Sequence, residues 1–440
     1  MLFLHISDIH FKQVEVGQPD DPNLALRNDL IRDVKAMRER IGRPADGVLI
    51  TGDIAFAGKA AEYDFAYQWL EDELCPAGGC AIDSVFVVPG NHDVDRSVET
   101  GPAFMAARKQ LREIGAKDAD SEIRKWLRDR ISADVIFGPI ENYNRFAAKF
   151  LCALRPYIET EAERQQAGVM SRPFASRDLP LDDGSKLRLW GFNTVLISNE
   201  DDREGRMLID PAAAQIPVED GVTHLVMCHH PLGWLKNRQA FEDRVNSVAK
   251  IHLFGHEHTR RVEEHKRYVR VRAGALQPDR DDADWKPGYN WIDVSVDTDG
   301  PKRFLKVRLW VRMHEVSQFQ AIHDPDDREI WESRFDLPAW SPVATASTPT
   351  QPETVSMPEG PMTTDGASPV TVRSVTIKFF KLKEHEQRRV IANLELDRED
   401  DRNLKDYEVA INAVRRSQEN GKLQLLNDLV DEMLAGQGGS

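Results

Sequence analysis

Five short blocks carry most of the residues in this chain that could do chemistry. They are Ser7-Asp8-Ile9-His10, Gly52-Asp53, Gly90-Asn91-His92-Asp93, His229-His230-Pro231 and Gly255-His256-Glu257-His258. Carboxylates, an amide oxygen and neutral imidazoles are the oxygen and nitrogen donors that divalent ions take, and one carboxylate can bridge two ions. Asp8 and His10 lie two apart, which in an extended segment puts both on one side; His256 and His258 repeat that spacing. A single Gly-Asp pair is usually a turn, and a single His-x-His usually holds nothing. Five such blocks, each following an apolar run, are not accounted for by structure alone.

The elements that would position them alternate between strand and helix. Leu2 to Ile6, Val48 to Thr51 and Val85 to Val88 read as strands, each stopping just before a block. Between them Leu24, Leu30, Ile31, Val34, Met37 and Ile41 recur at three- and four-residue steps, a helix ending at Gly42, and residues 60–74 form a second helix. Leu187 to Phe192, His224 to Cys228 and Ile251 to Phe254 read as further buried strands. Residues 268–273, 289–296 and 304–313 alternate like antiparallel strands. In a layered α/β fold the carboxyl ends of strands meet at one crevice, so blocks far apart in sequence can converge there.

The chain has 440 residues, 41% hydrophobic and 30% charged, enough for two or three folded domains. Its net charge of -15 excludes the broad basic surface of a general nucleic-acid binder. Cys75, Cys80, Cys152 and Cys228 have no metal-type or secreted-type spacing and read as free thiols of a reducing compartment. Met1 to Asp8 lacks the basic lead and apolar length of a secretory signal, and no stretch approaches a membrane span. The chain therefore reads as soluble and cytoplasmic.

The five blocks, in this order, resemble the calcineurin-like metallophosphoesterase superfamily, whose pattern runs D-x-H, G-D, G-N-H-D/E, H and G-H-x-H. The likeness covers residues 1–315 and implies a layered α/β fold: a metallophosphoesterase β-sandwich flanked by helices. It implies two divalent metal ions (Mn, Fe, Zn or Ni). Asp8, His10 and His258 would hold one, Asn91, His229 and His256 the other, with Asp53 bridging. His92 would be the catalytic histidine that contacts the phosphate and protonates the leaving group. Of the adjacent pair, the family's ligand stands two residues before the proline, which favours His229; strand alternation then turns His230 away. Asp93 reads as orienting His92 or its loop rather than binding metal. His5, His224, His252, His265 and His314 lack motif context and read as structural. Two ions bring +4 and the two aspartates return -2, so the pocket would attract a phosphate ester despite the acidic chain. A metal-bridging hydroxide would then attack in line, with His92 assisting departure.

Protein phosphatases of the superfamily carry G-D-x-x-D-R-G, whereas this chain has Gly52-Asp53-Ile54-Ala55-Phe56-Ala57-Gly58. The blocks are closer to bacterial phosphodiesterase-like members, so the expected substrate is a phosphodiester, a nucleotide or nucleic acid.

The expected domains are a catalytic unit over 1–338 with a helical insertion at about 97–180, a disordered linker over 339–372, and a small all-helical domain over 373–436. Of residues 341–370, 16 are Pro, Ser or Thr and none is Lys or Arg, too little apolar surface to offset ordering. The helical segment, with Phe379-Phe380, Glu386 to Ile391, Leu394 to Leu396 and Gly421 to Leu423, resembles death-like, effector-associated adaptor domains of bacterial conflict systems. That implies a protein partner, and a tail separable from catalysis. The alternative function is a catalytically weak interaction protein of a bacterial defence or signalling complex.

Overall fold

The computed structural model describes residues 1–98, 101–154, 174–258, 261–277, 285–341 and 370–437. The expected linker falls largely outside them, as does Tyr157 of the insertion.

The first hundred residues fold as the alternation predicts. Strand β1 (Leu2–Ile6) is followed by helix α1 (Leu24–Ile41), β2 (Gly47–Ile50), α2 (Ala60–Trp69), a π-turn over Leu70–Leu74, the short α3 (Cys75–Gly78), and β3 (Phe86–Val87). Four helices then span α4 (Pro102–Glu113), α5 (Ala116–Arg128), α6 (Arg130–Phe137) and α7 (Glu141–Ala148). The stretch read as helical ends differently: Phe174–Pro180 is β4, paired antiparallel with β5 (Lys186–Phe192), because its neighbour offers a free edge. Beyond it come β6 (Val222–Met227), α8 (Gln239–Val248), β7 (Ala249–Phe254), β8 (Arg261–Glu264) and β9 (Val269–Arg272). The long antiparallel pair β10 (Gly288–Asp299) and β11 (Lys302–Glu315), then β12 (Gln318–Ala321) and β13 (Ile330–Leu337), complete the unit.

Two sheets result. One runs β12-β11-β10-β1-β2-β3 with β13 also on β11; the other runs β4-β5-β6-β7-β9-β8. Strand β9 was expected to be antiparallel, and is so only to β8; it lies parallel to β7. Period-2 alternation explains the layering. Leu187, Leu189, Leu225, Met227, Ile251 and Leu253 face the other sheet, in one core with Leu4, Val48 and Trp291. Trp190, Phe192, Val226 and Phe254 face outward and are covered by Phe241 and Val245 of α8.

The tail is helical: α9 (Val372–Phe379), α10 (Glu384–Asn393), α11 (Asp406–Glu419) and α12 (Leu423–Gln437). It has its own core of Val375, Phe379, Val390, Ala413, Leu426 and Val430. It also packs against the sandwich. Arg373 Nε donates to the Asp83 carbonyl (2.8 Å) and Nη2 to that of Val85 (2.9 Å), at the entry to edge strand β3. Lys381 pairs with Glu71 at 2.6 Å. All four cysteines are free thiols. Among the described residues no helix is long and apolar enough to cross a membrane.

Candidate metal centre

Strands β1, β2 and β3 are parallel neighbours in one sheet, and β6 and β7 are parallel neighbours in the other. Every block begins within a few residues of one of their carboxyl ends, so all five meet at one edge of the sandwich. The loops are braced against each other. Asp8 N donates to Gly52 O (3.0 Å), His10 N to Asp53 O (3.0 Å), Gly255 N to His229 O (3.0 Å) and Gln277 N to Asp8 O (2.9 Å).

Asp8 and His10 have ligand atoms in one group, whereas His258 joins that group and His256 joins His229 and His230; and the segments are not the extended ones that the spacing argument supposed. Asp8, His10, Asp53, His256 and His258 all have φ between 50° and 70°, the left-handed region that non-glycine residues occupy at a cost. Five of the nine such residues among those described stand in these blocks. The motif glycines are explained by close approach. A methyl group on Gly255 would lie 2.8 Å from Thr51 O and 3.0 Å from Asp8 Oδ2.

Asp53 is the hub. Its Oδ2 is 3.1 Å from His10 Nε2 and 3.3 Å from His229 Nε2, and its Oδ1 accepts from His92 N at 2.8 Å. Asn91 Oδ1 lies 2.9 Å from both His229 Nε2 and His256 Nδ1. His258 Nε2 approaches Asp8 Oδ1 to 3.6 Å. The seven residues expected as ligands are therefore brought together, with His92 beside them, its ring 4.4 Å from that of His10.

The donors fit divalent ions. His229 Nδ1 faces the carbonyl of Thr51 at 2.8 Å, so it must carry the proton. Its Nε2 then points at the acceptors Asn91 Oδ1 and Asp53 Oδ2, a contact that either a second ring proton or a cation between them satisfies. Burial opposes charging His229, yet Asp53 prevails and pushes its pKa up to about 9. Burial likewise opposes ionisation of Asp53, but His229, His92 and hydrogen bonds from His10 and His229 hold its carboxyl well below the usual range. Asp8 Oδ1 is fully buried and takes no hydrogen bond, an arrangement costly for a carboxylate without a cation. Groups of Asp8, His10 and His258, and of Asp8, Asp53 and His229, have ligand atoms within 4.8 Å of each other.

His92 Nδ1 donates to the Phe56 carbonyl (2.9 Å), which leaves Nε2 as its working nitrogen. Burial pushes its pKa down and Asp53 pulls it up. His230 is only partly as expected. Its Nδ1 meets Thr194 Oγ1 at 3.1 Å, away from the hub, but its ring lies 4.3 Å from that of His256 and Nε2 is buried without a partner. Strand β6 has ended at Met227, so alternation no longer separates the pair cleanly.

Other histidines stay outside. His5 meets Thr51 and Asn290, His224 accepts from Trp190, His252 stacks on Tyr268, and His314 meets Asp29. Asp93 does orient its loop. Its carboxylate accepts from Gly90 N (2.8 Å), Ala55 N (2.9 Å), Ile54 N (3.1 Å) and the Tyr63 hydroxyl (2.9 Å). Sequence reasoning missed Tyr63, and also Phe56 and Trp234. The Phe56 ring lies 5.2 Å from that of His92 and the Trp234 ring 4.1 Å from that of His256. Each stands three residues past a block's last polar or proline residue, Asp53 or Pro231, the one signal that could have flagged them.

A two-sheet sandwich with carboxylates and imidazoles gathered at its strand ends is the class that fold and site define. Residues 1–260 match the profile described as calcineurin-like phosphoesterase, and the chain belongs to that family. Its members are phosphoesterases that use divalent metals. Residues 371–432 match the GTPase-associated adaptor domain. No curated protein matches the chain. Among solved structures, it is similar to a putative 5'-nucleotidase from Staphylococcus aureus in complex with alpha-ketoglutarate, with 14% identity, a TM-score of 0.36, and coverage of 74% of this chain and 56% of that one. It is also similar to wild-type Vps29 complexed with zinc from Entamoeba histolytica (11% identity, TM-score 0.29, coverage 76% and 99%). A third is described as a novel archaeal phosphodiesterase (11%, 0.27, coverage 73% and 99%).

Proposed function

We propose that the chain is a metal-dependent phosphodiesterase acting on nucleotides or nucleic acid, whose C-terminal domain recruits a protein partner. The observation that carries it is the Asp53 carboxylate, reached by His10 from one ligand set and by His229 from the other. Asp8, His10 and His258 would hold one divalent ion and Asn91, His229 and His256 a second, with Asp53 available to both. The ions, when bound, supply Lewis-acid charge and an activated water.

The chain's own residues do the rest. Thr51 O fixes the His229 tautomer, so that Nε2 is offered to the centre. Phe56 O holds the ring proton of His92 on Nδ1 and so offers Nε2 to the substrate; a second proton taken up at Nε2 from solvent, forming the imidazolium, is the one passed to the leaving oxygen. Asp8, His10, Asp53, Asn91 and His229 are buried, while His92, His256, His258, Phe56 and Trp234 are partly exposed. Substrate therefore enters past His92 and Phe56 on one flank and His256 and Trp234 on the other. Two aromatic flanks suit the two substituents of a diester, which supports a diester over a monoester. A reducing cytoplasm suits four free cysteines.

The test is a hydrolysis screen with Mn²⁺ that compares bis-p-nitrophenyl phosphate, p-nitrophenyl phosphate, cyclic nucleotides and single-stranded DNA. Diesters should turn over faster than the monoester, and chelation should stop the reaction. Asp53→Asn should abolish it; near-normal turnover in that variant would sink the two-metal assignment.

A further inference from the structure

Tyr63 lies fully buried on α2, with its hydroxyl on the Asp93 carboxylate (2.9 Å) and on the Asp93 carbonyl (3.2 Å). That carboxylate ties together the two loops that form the centre: Ile54 and Ala55 directly follow Asp53, and Gly90 directly precedes Asn91. The other side of the Tyr63 ring faces a different neighbourhood. It packs on Phe146 (5.2 Å) and lines a cavity of about 330 Å³ whose far wall is Phe380, Gln387 and Tyr407 of the C-terminal domain. The tail and the Tyr63 ring thus share one pocket, and Tyr63 in turn joins the ligand loops through Asp93.

The docked tail forms the outer wall of the pocket beside the ring. Two contacts hold the tail there: the buried Arg373 guanidinium on the carbonyls of Asp83 and Val85, and the Lys381–Glu71 pair. If the tail shifts, the ring is less confined, Asp93 loses a donor, and the loops bearing Asp53 and Asn91 lose a shared anchor.

We propose that Tyr63 is a positioning residue for the metal centre and that the docked adaptor domain holds it in place. A protein that engages this domain therefore adjusts metal affinity and turnover. The turnover part rests on the phosphoesterase reading above; the structural part does not. Coupling between two sites is reciprocal, so metal must slow exchange in α9 by the same factor by which docking tightens the centre.

The experiment is amide hydrogen exchange on the full-length, metal-free protein, read at Ile54, Ala55 and Gly90. Tyr63→Phe and Lys381→Ala should each speed exchange by about 5-fold or more, the lower end of usual coupling. The double variant should match Tyr63→Phe alone. The Mn²⁺ concentration for half-maximal turnover should rise by a similar factor while substrate KM stays put. Arg373→Gln, a stronger undocking variant, should act in the same direction. Wild-type exchange at those amides in both tail variants overturns the proposal, as does a double variant in which the effects simply multiply. Coupled exchange in a protein that cleaves no phosphoester would refute the function and leave the coupling standing.

Discussion

Gly90→Ala tests the geometry without touching a ligand. A methyl group there would stand 2.7 Å from Asp53 Cγ and closer still to Asp53 Oδ1. Non-bonded carbons settle at ~3.5–4.0 Å, so the carboxylate must withdraw by roughly 1 Å, and the Asp53 backbone must shift with it because its amide nitrogen would also stand closer to the methyl group than Cγ does. It has little room to do so, since His10, His229 and the His92 amide surround it. Crowding of this kind costs about 1–3 kcal/mol, which lowers Tm by a few degrees and leaves the chain folded. The centre suffers far more. Ligand distances are held within about 0.2 Å, and a misplacement of about 1 Å costs on the order of 100-fold in rate. The variant should therefore bind fewer ions by elemental analysis and turn over bis-p-nitrophenyl phosphate at least ~100-fold more slowly. Gly115→Ala is the control, because a methyl group there meets nothing within 4 Å. If Gly90→Ala keeps full metal content and turnover near wild type, the packing of Asp53 against this loop is not what sets the centre.

Three further outcomes follow from particular contacts. His229→Ala should lose one ion by elemental analysis and His230→Ala none, because only His229 has a ring nitrogen on Asn91 and Asp53; the reverse would transfer the ligand role to His230. Burial pushes His5 and His252 down to about 3, below the unfolded value, so the unfolded chain binds more protons between pH 3 and 6.5 and stability falls as pH drops below 6.5. Each should cost roughly 2 kcal/mol at pH 5, and urea titrations should show a flatter pH slope once His252 is replaced by Gln; an unchanged slope refutes the assignment. A chain ending at Pro338 loses both Arg373 hydrogen bonds, about 1–3 kcal/mol after the cost of burying that cation is set against them; it should still bind metal, at the weaker affinity that undocking the tail predicts, and melt a few degrees lower, and complete loss of metal at saturating Mn²⁺ would make the tail part of the centre.

What the sequence made legible follows from which forces act locally. Helix α1 was readable to its last residue because an apolar stripe and Gly42 act within a few residues of each other. The five blocks that converge were readable because each follows an apolar strand and carries residue types that can bind metal. Strand β4 was not, since Phe174–Pro180 becomes a strand only when the edge of β5 is offered to it. Tyr63 was unreadable for a related reason. On α2 it looks like one more core aromatic, and only the fold brings Asp93 to its hydroxyl. The same limit applies to Arg373, which reads as a helix-surface cation but is buried against the carbonyls of Asp83 and Val85. A tail expected to hang free is instead docked, and composition could not foresee that.

The left-handed backbone bears on the choice between an enzyme and an interaction protein whose core has fallen silent. A left-handed residue other than glycine costs about 1–2 kcal/mol, less for Asp and His, which tolerate the region better. Five at one site is a sizeable fraction of the ~5–15 kcal/mol that separates folded from unfolded chains. None of the five is needed to hold the sheets, because each follows the last residue of its strand. Strain of this kind persists where the surroundings impose it for a purpose. Here the side chains show a use for it, since the left-handed turns place Asp8, Asp53 and three histidines in adjoining groups of potential metal ligands. A protein that had kept only its docking surfaces would gain stability from an ordinary residue or a glycine at any of these positions. This chain has none of those substitutions, and it also keeps the buried Asp8 oxygen that lacks any hydrogen-bond partner. Bound cations would recover both costs, which supports the proposed metal centre.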